Sequence, residues 1–369
     1  MNEIKKISSH QLKTLSFFTY MGTAVLGIPA TLATVSKQDA WLSSLVGIFM
    51  GLLLMWLYIS LGNKMLNMTL VEYLEKILGK RVGIFISLLF ILYLFIICSS
   101  MIFVLGNFIS IELMTMTPIK STHFLFIVVI ILGTRHGLET FAKTSEILYF
   151  LVMGLFIIFV ILLSKDLEFI NVLPVLEFGS KPIFEGALQY FCYTSILNVA
   201  LLMIFPKHIN NKKKAKKSFF LGSLIGGVFL FIMITLSILV LGIDTTARSA
   251  YPSFVLGKQI RVGEFFQRLE SIISIIWFVT IFIQAIVYFY GAMFGIAQIF
   301  KLKDYKPLTV PSGIILFVLS LIIYPNSVYA SEWDTTTWIS VSLTFGFFLP
   351  LLLIIIGKLR KYLNNNIKP

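Results

Sequence analysis

The sequence predicts an all-α integral membrane protein with about ten transmembrane helices, and three observations support this fold class. Hydrophobic residues make up 58% of the chain, charged residues make up 13%, and the mean hydropathy is +0.93. Soluble domains carry about 25% charged residues, so this chain has too few charges to cover a surface that faces water. Apolar runs of roughly 18–25 residues recur between charges, and this length crosses a bilayer core of about 30 Å.

The apolar runs follow one another with short polar connections, and the fourth and ninth runs are short. A secretory signal peptide is the alternative interpretation of the first run, which follows Lys5 and Lys6. That run continues past signal length without a small-residue cleavage site, so we reject the signal peptide. We expect one membrane domain over residues 1–369, with a basic tail at 358–369. The predicted spans are 9–34, 40–62, 82–109, 121–134, 146–164, 184–205, 217–242, 265–300, 309–324 and 335–357.

The net charge is +13, and the positions of the basic residues along the chain indicate the membrane topology. If the N-terminus is cytoplasmic, the inner segments and tails hold 22 of the 30 Lys and Arg residues. Such a bias orients membrane proteins with the basic segments in the cytoplasm, so we expect cytoplasmic termini and no nucleic-acid partner. The basic cluster at 212–217 also suits contact with anionic membrane lipid. The outer basic residues are Lys37, Lys120, Lys165, Lys181, Arg248, Lys258, Arg261 and Arg268.

Residues for metal binding or catalysis are sparse. The two cysteines, Cys98 and Cys192, lie within predicted spans, and the four histidines lack the spacing of metal ligands. The chain contains no H-E-x-x-H or G-x-S-x-G motif and no paired carboxylates within a span. We therefore expect no metal, no cofactor, no catalytic residue and no enzyme activity.

Ten spans allow an inverted repeat of two five-helix halves, at 1–164 and 184–357, as in many transporters. Predicted helix 1 carries Gly22, Gly27 and Pro29 in its middle. Glycine tolerates non-helical angles, and proline removes a backbone donor. A broken helix exposes N–H groups and a positive helix end, which suit a carboxylate. The alternative, equally supported by the spacing, is that the glycines allow close helix packing.

Predicted helix 6 contains the most polar stretch within any span, from Gln189 to Asn198. Polar groups in hydrocarbon are costly unless they find partners, so these side chains face another helix, water or a ligand. Interhelical hydrogen bonds and ligand binding are equal alternatives here. The stretch has no proline, and the sequence does not locate a helix break within it.

Several segments together resemble the B subunit of spore germination receptors, a family within the amino acid–polyamine–organocation transporter superfamily. The resemblance covers nearly the whole chain in the same order. The segments that carry it are Ile7–Leu12, Gly22–Pro29, Lys37–Trp41, Arg135–Glu139 with Lys143 and Glu146, Tyr251–Phe254, and Gly263–Glu270 with Trp277.

This resemblance implies a LeuT-type transporter fold with helices 1 and 6 broken. It also implies sensing of a small-molecule germinant such as an amino acid, together with a receptor A subunit and a lipoprotein C subunit. The implied location is the inner membrane of an endospore-forming bacterium. Two positions depart from the family pattern: Asn198 replaces an acidic residue, and Lys143 replaces an arginine. The neutral Asn198 weakens any role for helix 6 in proton coupling.

The transporter fold implies a ligand near the membrane midplane between helices 1, 3, 6 and 8. Helix 1 would contribute backbone N–H groups, and the other three helices would contribute polar side chains. Each of these groups can alternatively form a helix–helix hydrogen bond worth about 0.6 kcal/mol. The predicted ligand-binding residues are Gly22, Thr23, Gly27, Ser99, Ser100, Tyr193, Thr194, Ser195, Asn198 and Gln284.

Charged residues near the span ends form a second predicted group, with a role as a gate or a subunit contact. Arg135, Glu139 and Lys143 are expected in a cytoplasmic loop between helices 4 and 5, and Glu264 and Arg268 outside helix 8. Both acid–base pairs are four residues apart, which is the spacing of a helical ion pair. The alternative is a purely structural role at the surface.

Two functions remain open from the sequence: a germinant-sensing receptor subunit, and an amino acid permease coupled to an ion gradient. One transporter architecture can serve both. No acidic residue or histidine occupies a convincing midplane position, which disfavours proton coupling. Sodium coupling needs only carbonyl and hydroxyl oxygens and stays open.

Overall fold

The computed structural model describes residues 6–260 and 269–366, with side chains to residue 360. These residues form fifteen α-helices, and an isolated parallel bridge joins Ile7 to Ile209. The helices are α1 Ser9–Met21, α2 Ala24–Ser36, α3 Ala40–Met65, α4 Leu70–Leu78, α5 Lys80–Phe108, α6 Ile119–His136, α7 Leu138–Leu163, α8 Lys181–Tyr193, α9 Lys212–Arg248, α10 Pro252–Gln259, α11 Glu270–Ile299, α12 Thr309–Ile322, α13 Ser327–Thr335, α14 Thr337–Leu343 and α15 Leu349–Asn366.

The helices match the predicted spans. Within the described residues, eight helical runs are long and apolar enough to cross a membrane, and α12 with α13, bent by 98°, makes a ninth. In its described residues, each predicted span falls on one helix or on consecutive helical segments. The first span falls on α1 and α2, and the last falls on α14, a π-helical turn at Thr344–Phe348 and α15. The chain is therefore an all-helical, multi-pass membrane protein.

The connections between helices gather on two opposite faces of the bundle. On the terminal face, the Lys212 Nζ donates to the Leu66 carbonyl at 2.8 Å, and the Tyr305 hydroxyl donates to the Thr134 carbonyl at 3.1 Å. On the far face, Lys258 pairs with Glu112 at 2.8 Å. The terminal face comprises residues 6–8, 66–69, 134–146, 204–211 and 300–308, and the far face comprises 37–39, 109–118, 164–180, 249–260 and 323–336.

The first predicted span is broken, and the break lies at Gly22. Gly22 has φ +31° and ψ −120°, and its N–H donates to the Phe18 carbonyl at 3.0 Å to close α1. A Cβ at this position would lie 1.5 Å from the Gln284 Oε1, so only glycine fits the backbone there. The glycine-rich stretch thus provides the break that the sequence predicted.

Pro29 does not contribute to the break, because it lies inside α2. Proline has no N–H to donate to the carbonyl four residues earlier, which is that of Val25. The Ser253 hydroxyl of α10 donates to this carbonyl at 2.7 Å and replaces the missing helical bond. The expectation that Pro29 disrupts the helix is therefore wrong, because a side chain from another segment satisfies the free carbonyl.

Replacing Ser253 with alanine is expected to lower the free energy of unfolding by about 1–3 kcal/mol, since it leaves a buried carbonyl without a donor. Ser253 is fully buried. The measurement is the melting temperature of the purified protein in detergent. Ser164→Ala is the matched control, because the exposed Ser164 hydroxyl only donates to the Ile161 carbonyl of its own helix. Equal melting temperatures for both variants would show that the Ser253 bond contributes nothing.

The sixth predicted span is broken at Thr194, where φ is −125° and ψ is −73°. Beyond it the chain continues as a 3-10 helix, Ser195–Met203. Tyrosine hydroxyls of neighbouring helices satisfy the carbonyls that this change leaves free. The Tyr58 hydroxyl donates to the Ile196 carbonyl at 3.2 Å, and the Tyr288 hydroxyl donates to the Leu197 carbonyl at 3.0 Å.

The loop expected between predicted helices 4 and 5 is absent. Gly137 alone separates α6 from α7, and its φ of +91° allows the sharp change of direction. Glu139 and Lys143 consequently lie in the first turns of α7. The hydropathy pattern placed the start of this helix too late, because its first two turns are polar and extend to the terminal face.

Candidate ligand-binding site

A cavity of about 500 Å³ leads from the far face into the centre of the bundle. Its walls come from α2, α5, α8, the connection between α9 and α10, and the segment from Tyr324 to Trp338. The cavity reaches Thr23 and Ala24 at the break in helix 1 and Leu197 beyond the break in helix 6. Both helix breaks therefore border the same space.

Four of the predicted ligand-binding residues line this cavity: Thr23, Gly27, Ser100 and Tyr193. A Cβ built on Gly27 has no other atom within 4 Å, so the cavity begins directly at its backbone. The Ser100 hydroxyl lies 3.0 Å from the Tyr324 hydroxyl across the cavity wall. These four residues bring α2, α5 and α8 together around one space, as predicted for helices 1, 3 and 6.

Gly22 and Gln284 lie together at the helix 1 break and do not line the cavity. Gln284 is fully buried, and its Nε2 donates to the Thr19 carbonyl at 2.9 Å. Its Oε1 has no hydrogen-bond partner among the described residues. A buried acceptor without a donor is costly, so a hydrogen-bond donor beside this oxygen would be stabilising.

The other predicted polar residues make bonds within the bundle. The Thr194 hydroxyl donates to the Tyr190 carbonyl at 2.7 Å, and the Ser99 hydroxyl donates to the Phe95 carbonyl at 2.8 Å. The Ser195 hydroxyl donates to the Tyr20 hydroxyl at 3.1 Å. All three predicted residues are fully buried away from the cavity lining.

Asn198 joins three helical segments in a buried network. Its Oδ1 accepts a hydrogen bond from the Thr19 hydroxyl of α1, and its Nδ2 donates to the Ser223 hydroxyl of α9 at 3.0 Å. The Ser223 hydroxyl in turn lies 3.0 Å from the Ser16 hydroxyl. Asn198 thus holds predicted helices 1, 6 and 7 together in this conformation.

Sequence reasoning missed Asp334, whose carboxylate lines the cavity and interacts with the Tyr193 hydroxyl. The sequence did not single out this residue, because α13 is too short and polar to resemble part of the bundle. The aromatic residues Tyr324, Trp333 and Trp338 on both sides of Asp334 in the sequence were the available signal. Gln189 and Asn107 are further polar lining residues that were not predicted.

Tyr251 closes part of the cavity wall on the far face. Its ring packs edge-on against Phe108 at 5.0 Å. Burial, and secondarily the nearby Glu112 carboxylate, raises the pKa of Tyr251 to about 12. The hydroxyl therefore stays protonated at physiological pH and can donate a hydrogen bond.

The predicted charged group is not assembled into one site. Lys143 pairs with Glu139 at 2.9 Å on the exposed surface of α7, where such pairs contribute little. Arg135 is exposed at the end of α6 and borders a shallow apolar groove between α6 and α12. Glu264 and Arg268 lie outside the described residues.

The terminal face is closed. The buried Lys207 ammonium pairs with the Glu72 carboxylate, and the Ile7 N–H donates to the His208 carbonyl at 2.8 Å. No residue of the terminal face lines the cavity within the described part of the chain. In the same part of the chain, no group of three His, Cys, Asp or Glu side chains could hold a metal ion. The cavity is thus open to one side and offers hydrogen-bonding and ionic contacts.

Comparison with known sequences gives consistent matches along the chain. A family model described as "Spore germination protein" matches residues 6–328. Spore germination protein KB of Bacillus subtilis (strain 168) is 28% identical over 363 residues, which cover 97% of this chain and 96% of that protein. Spore germination protein A2 of the same organism is 25% identical over 360 residues, 96% of each chain.

Solved transporter structures share the fold. The nucleobase-cation-symport-1 family transporter Mhp1, in a closed conformation with bromovinylhydantoin bound, has a TM-score of 0.70 at 11% identity. The match covers 95% of this chain and 78% of that one. A manganese transporter of Eremococcus coleocola has a TM-score of 0.57 at 13% identity, with the same coverage.

Proposed function

Because the chain belongs to the spore germination protein family, we propose that it is the germinant-sensing transmembrane subunit of a spore germination receptor. It binds a small molecule, such as an amino acid, near the membrane midplane. The observation that carries the proposal is the cavity that runs from the far face to the broken first helix. A closed terminal face leaves this cavity as the route by which a ligand reaches the break.

The break supplies the contacts for a carboxylate. The first turn of α2 has backbone N–H groups without partners inside the helix, and the cavity reaches this turn at Thr23 and Ala24. Tyr193 and Ser100 add hydroxyl groups on the facing walls. Gly22 and Gln284 lie at the break behind this turn, where the Gln284 Nε2 donates to the Thr19 carbonyl.

The charge distribution supports the orientation that goes with this role. The terminal face carries the basic cluster at 212–217, whereas the far face carries Asp166, Glu168 and Glu177. We place the terminal face and both chain ends in the cytoplasm and the cavity on the outer side of the inner membrane of an endospore-forming bacterium. The two repeats at 1–164 and 184–357 form one membrane domain with the tail at 358–369.

Partner subunits complete the receptor in this proposal. An A subunit and a lipoprotein C subunit would bind at exposed surfaces of the chain. Charged side chains at the start of α7 and the end of α6 lie on the surface and not in the core. They belong to Glu139, Lys143 and Arg135. Glu264 and Arg268 remain predicted as a second contact or gate.

An ion-coupled amino acid permease is the alternative, and the LeuT-type fold with its one-sided cavity favours it equally on structural grounds. The two functions differ in what the cell loses without the chain. A receptor is needed for the germination response, and a permease is needed for solute uptake during growth.

Spores that lack this chain are expected to lose the response to one class of germinant, tested with separate panels of amino acids, nucleosides and sugars. Uptake of the same compound by growing cells should be unchanged. Complementation with the intact gene is the control and should restore the response. Normal germination across the panel, combined with reduced solute uptake in growing cells, would overturn the receptor and establish the permease.

A further inference from the structure

We propose that Asp334 and the side chains around it form an ammonium-binding subsite in the cavity wall. This inference rests on the proposed function in one respect, which is that the ligand is an amino acid. The subsite itself is defined by the carboxylate of Asp334, the aromatic rings of Tyr193, Tyr324 and Trp338, and the amide oxygen of Gln189, all of which line the same cavity.

Asp334 lines the cavity, and no cation of the described residues lies beside its carboxylate. Among the described residues, no Lys, Arg or His nitrogen lies within 4.0 Å of Asp334. Arg248 is the other charged residue in the lining, but it is exposed on the far face and does not pair with Asp334. A partly buried carboxylate without a counter-charge is stabilised when a cation enters the space next to it.

The aromatic rings around Asp334 favour an organic ammonium group as the cation that binds there. Tyr193, Tyr324 and Trp338 all border the cavity near Asp334, and ring faces attract ammonium groups. Two contacts fix these rings in place: Trp338 stacks on Tyr93 at 6.0 Å, and the Tyr324 hydroxyl lies 3.0 Å from the Ser100 hydroxyl. A rigid aromatic wall favours binding because little side-chain freedom is lost.

Gln189 provides a third group in the cavity wall. The Gln189 Oε1 is buried and has no hydrogen-bond partner among the described residues. An ammonium group has three donors and no acceptor, so it suits a wall that offers more than one acceptor. The carboxylate, the free amide oxygen and the aromatic faces are the three kinds of contact that an ammonium group uses.

The test is calorimetric titration of the purified full-length chain with the twenty L-amino acids and with the amines that lack their carboxylate. Acids that lack the amino group serve as a third set of probes. The variants are Asp334→Asn, which removes the charge, and Asp334→Glu, which restores it. Glu332→Gln is the matched control, because this exposed carboxylate of the same helix does not line the cavity.

We expect Asp334→Asn to weaken the binding of amino acids and amines at least tenfold and to leave the acids unaffected. Asp334→Glu should recover part of this loss, and Glu332→Gln should show none. If Asp334→Asn does not fold, Gln189→Met tests the same subsite and should weaken amine binding several-fold. Equal affinity of the wild type and these variants for every amine, or no binding of any amine or amino acid, overturns the subsite.

The same measurements separate this inference from the proposed function. Amino acids that bind tightly without any dependence on Asp334 or Gln189 would overturn the subsite and leave the sensing role supported. Amines that bind in an Asp334-dependent manner, combined with normal germination of spores lacking the chain, would support the subsite and overturn the sensing role.

Discussion

Gly27→Leu is expected to weaken the germinant response strongly while the protein still folds. No atom lies within 4 Å of a Cβ built on Gly27, so the backbone accepts a side chain without displacing a neighbour. Leucine also favours the helical conformation of α2 more than glycine does. Its side chain extends into the cavity, where a germinant would have to displace it.

The expected loss of apparent germinant affinity is at least about a hundredfold, which corresponds to roughly 2.8 kcal/mol. The measurement is the germinant concentration that gives half-maximal germination of spores carrying the variant. Gly154→Leu is the matched control, because Gly154 also has no neighbour within 4 Å but lies on the exposed surface of α7. A normal response of the Gly27→Leu spores would rule out the cavity as the ligand site.

Removal of the Glu72 charge is expected to destabilise the protein by about 3 kcal/mol, near the lower end of the range for broken buried ion pairs. Glu72→Gln leaves the Lys207 ammonium, whose side chain is 7% exposed, without its counter-charge. The Glu72 side chain is 33% exposed, and this access to solvent keeps the expected cost at the lower end. The measurement is the melting temperature of the purified protein in detergent.

A double variant provides the control for this prediction. Glu72→Gln combined with Lys207→Met removes both charges, so it should be more stable than Glu72→Gln alone. Glu139→Gln, which breaks the exposed pair with Lys143, should leave the melting temperature nearly unchanged. If Glu72→Gln melts at the wild-type temperature, the Glu72–Lys207 pair does not stabilise the protein.

Much of the fold was predictable because hydropathy reports directly on membrane crossing. The all-helical membrane fold, a break in helix 1 and the family resemblance are confirmed, and the family is one of germination proteins and not of enzymes. The break in helix 6 could not be located from sequence, because Thr194 is neither glycine nor proline. Its conformation depends on tyrosine hydroxyls from α3 and α11.

The candidate site was predictable only in part. The sequence predicted ten ligand-binding residues, and the structure brings Thr23, Gly27, Ser100 and Tyr193 of these to one cavity. It could not distinguish these residues from polar residues that bond to other helices, because both kinds need partners in hydrocarbon. Asp334 was missed for a different reason: the pairing of a short outer helix with α8 is a tertiary contact without a periodic signal.

The bond from Ser253 to the Val25 carbonyl couples two distant parts of the chain mechanically. Since Pro29 has no N–H to donate, α2 depends on α10 to replace one of its own backbone hydrogen bonds. If α2 tilts around the break at Gly22, α10 must move with it, or the Val25 carbonyl loses its hydrogen bond. The proline thus ties the position of α2 beside the cavity to that of α10 on the far face.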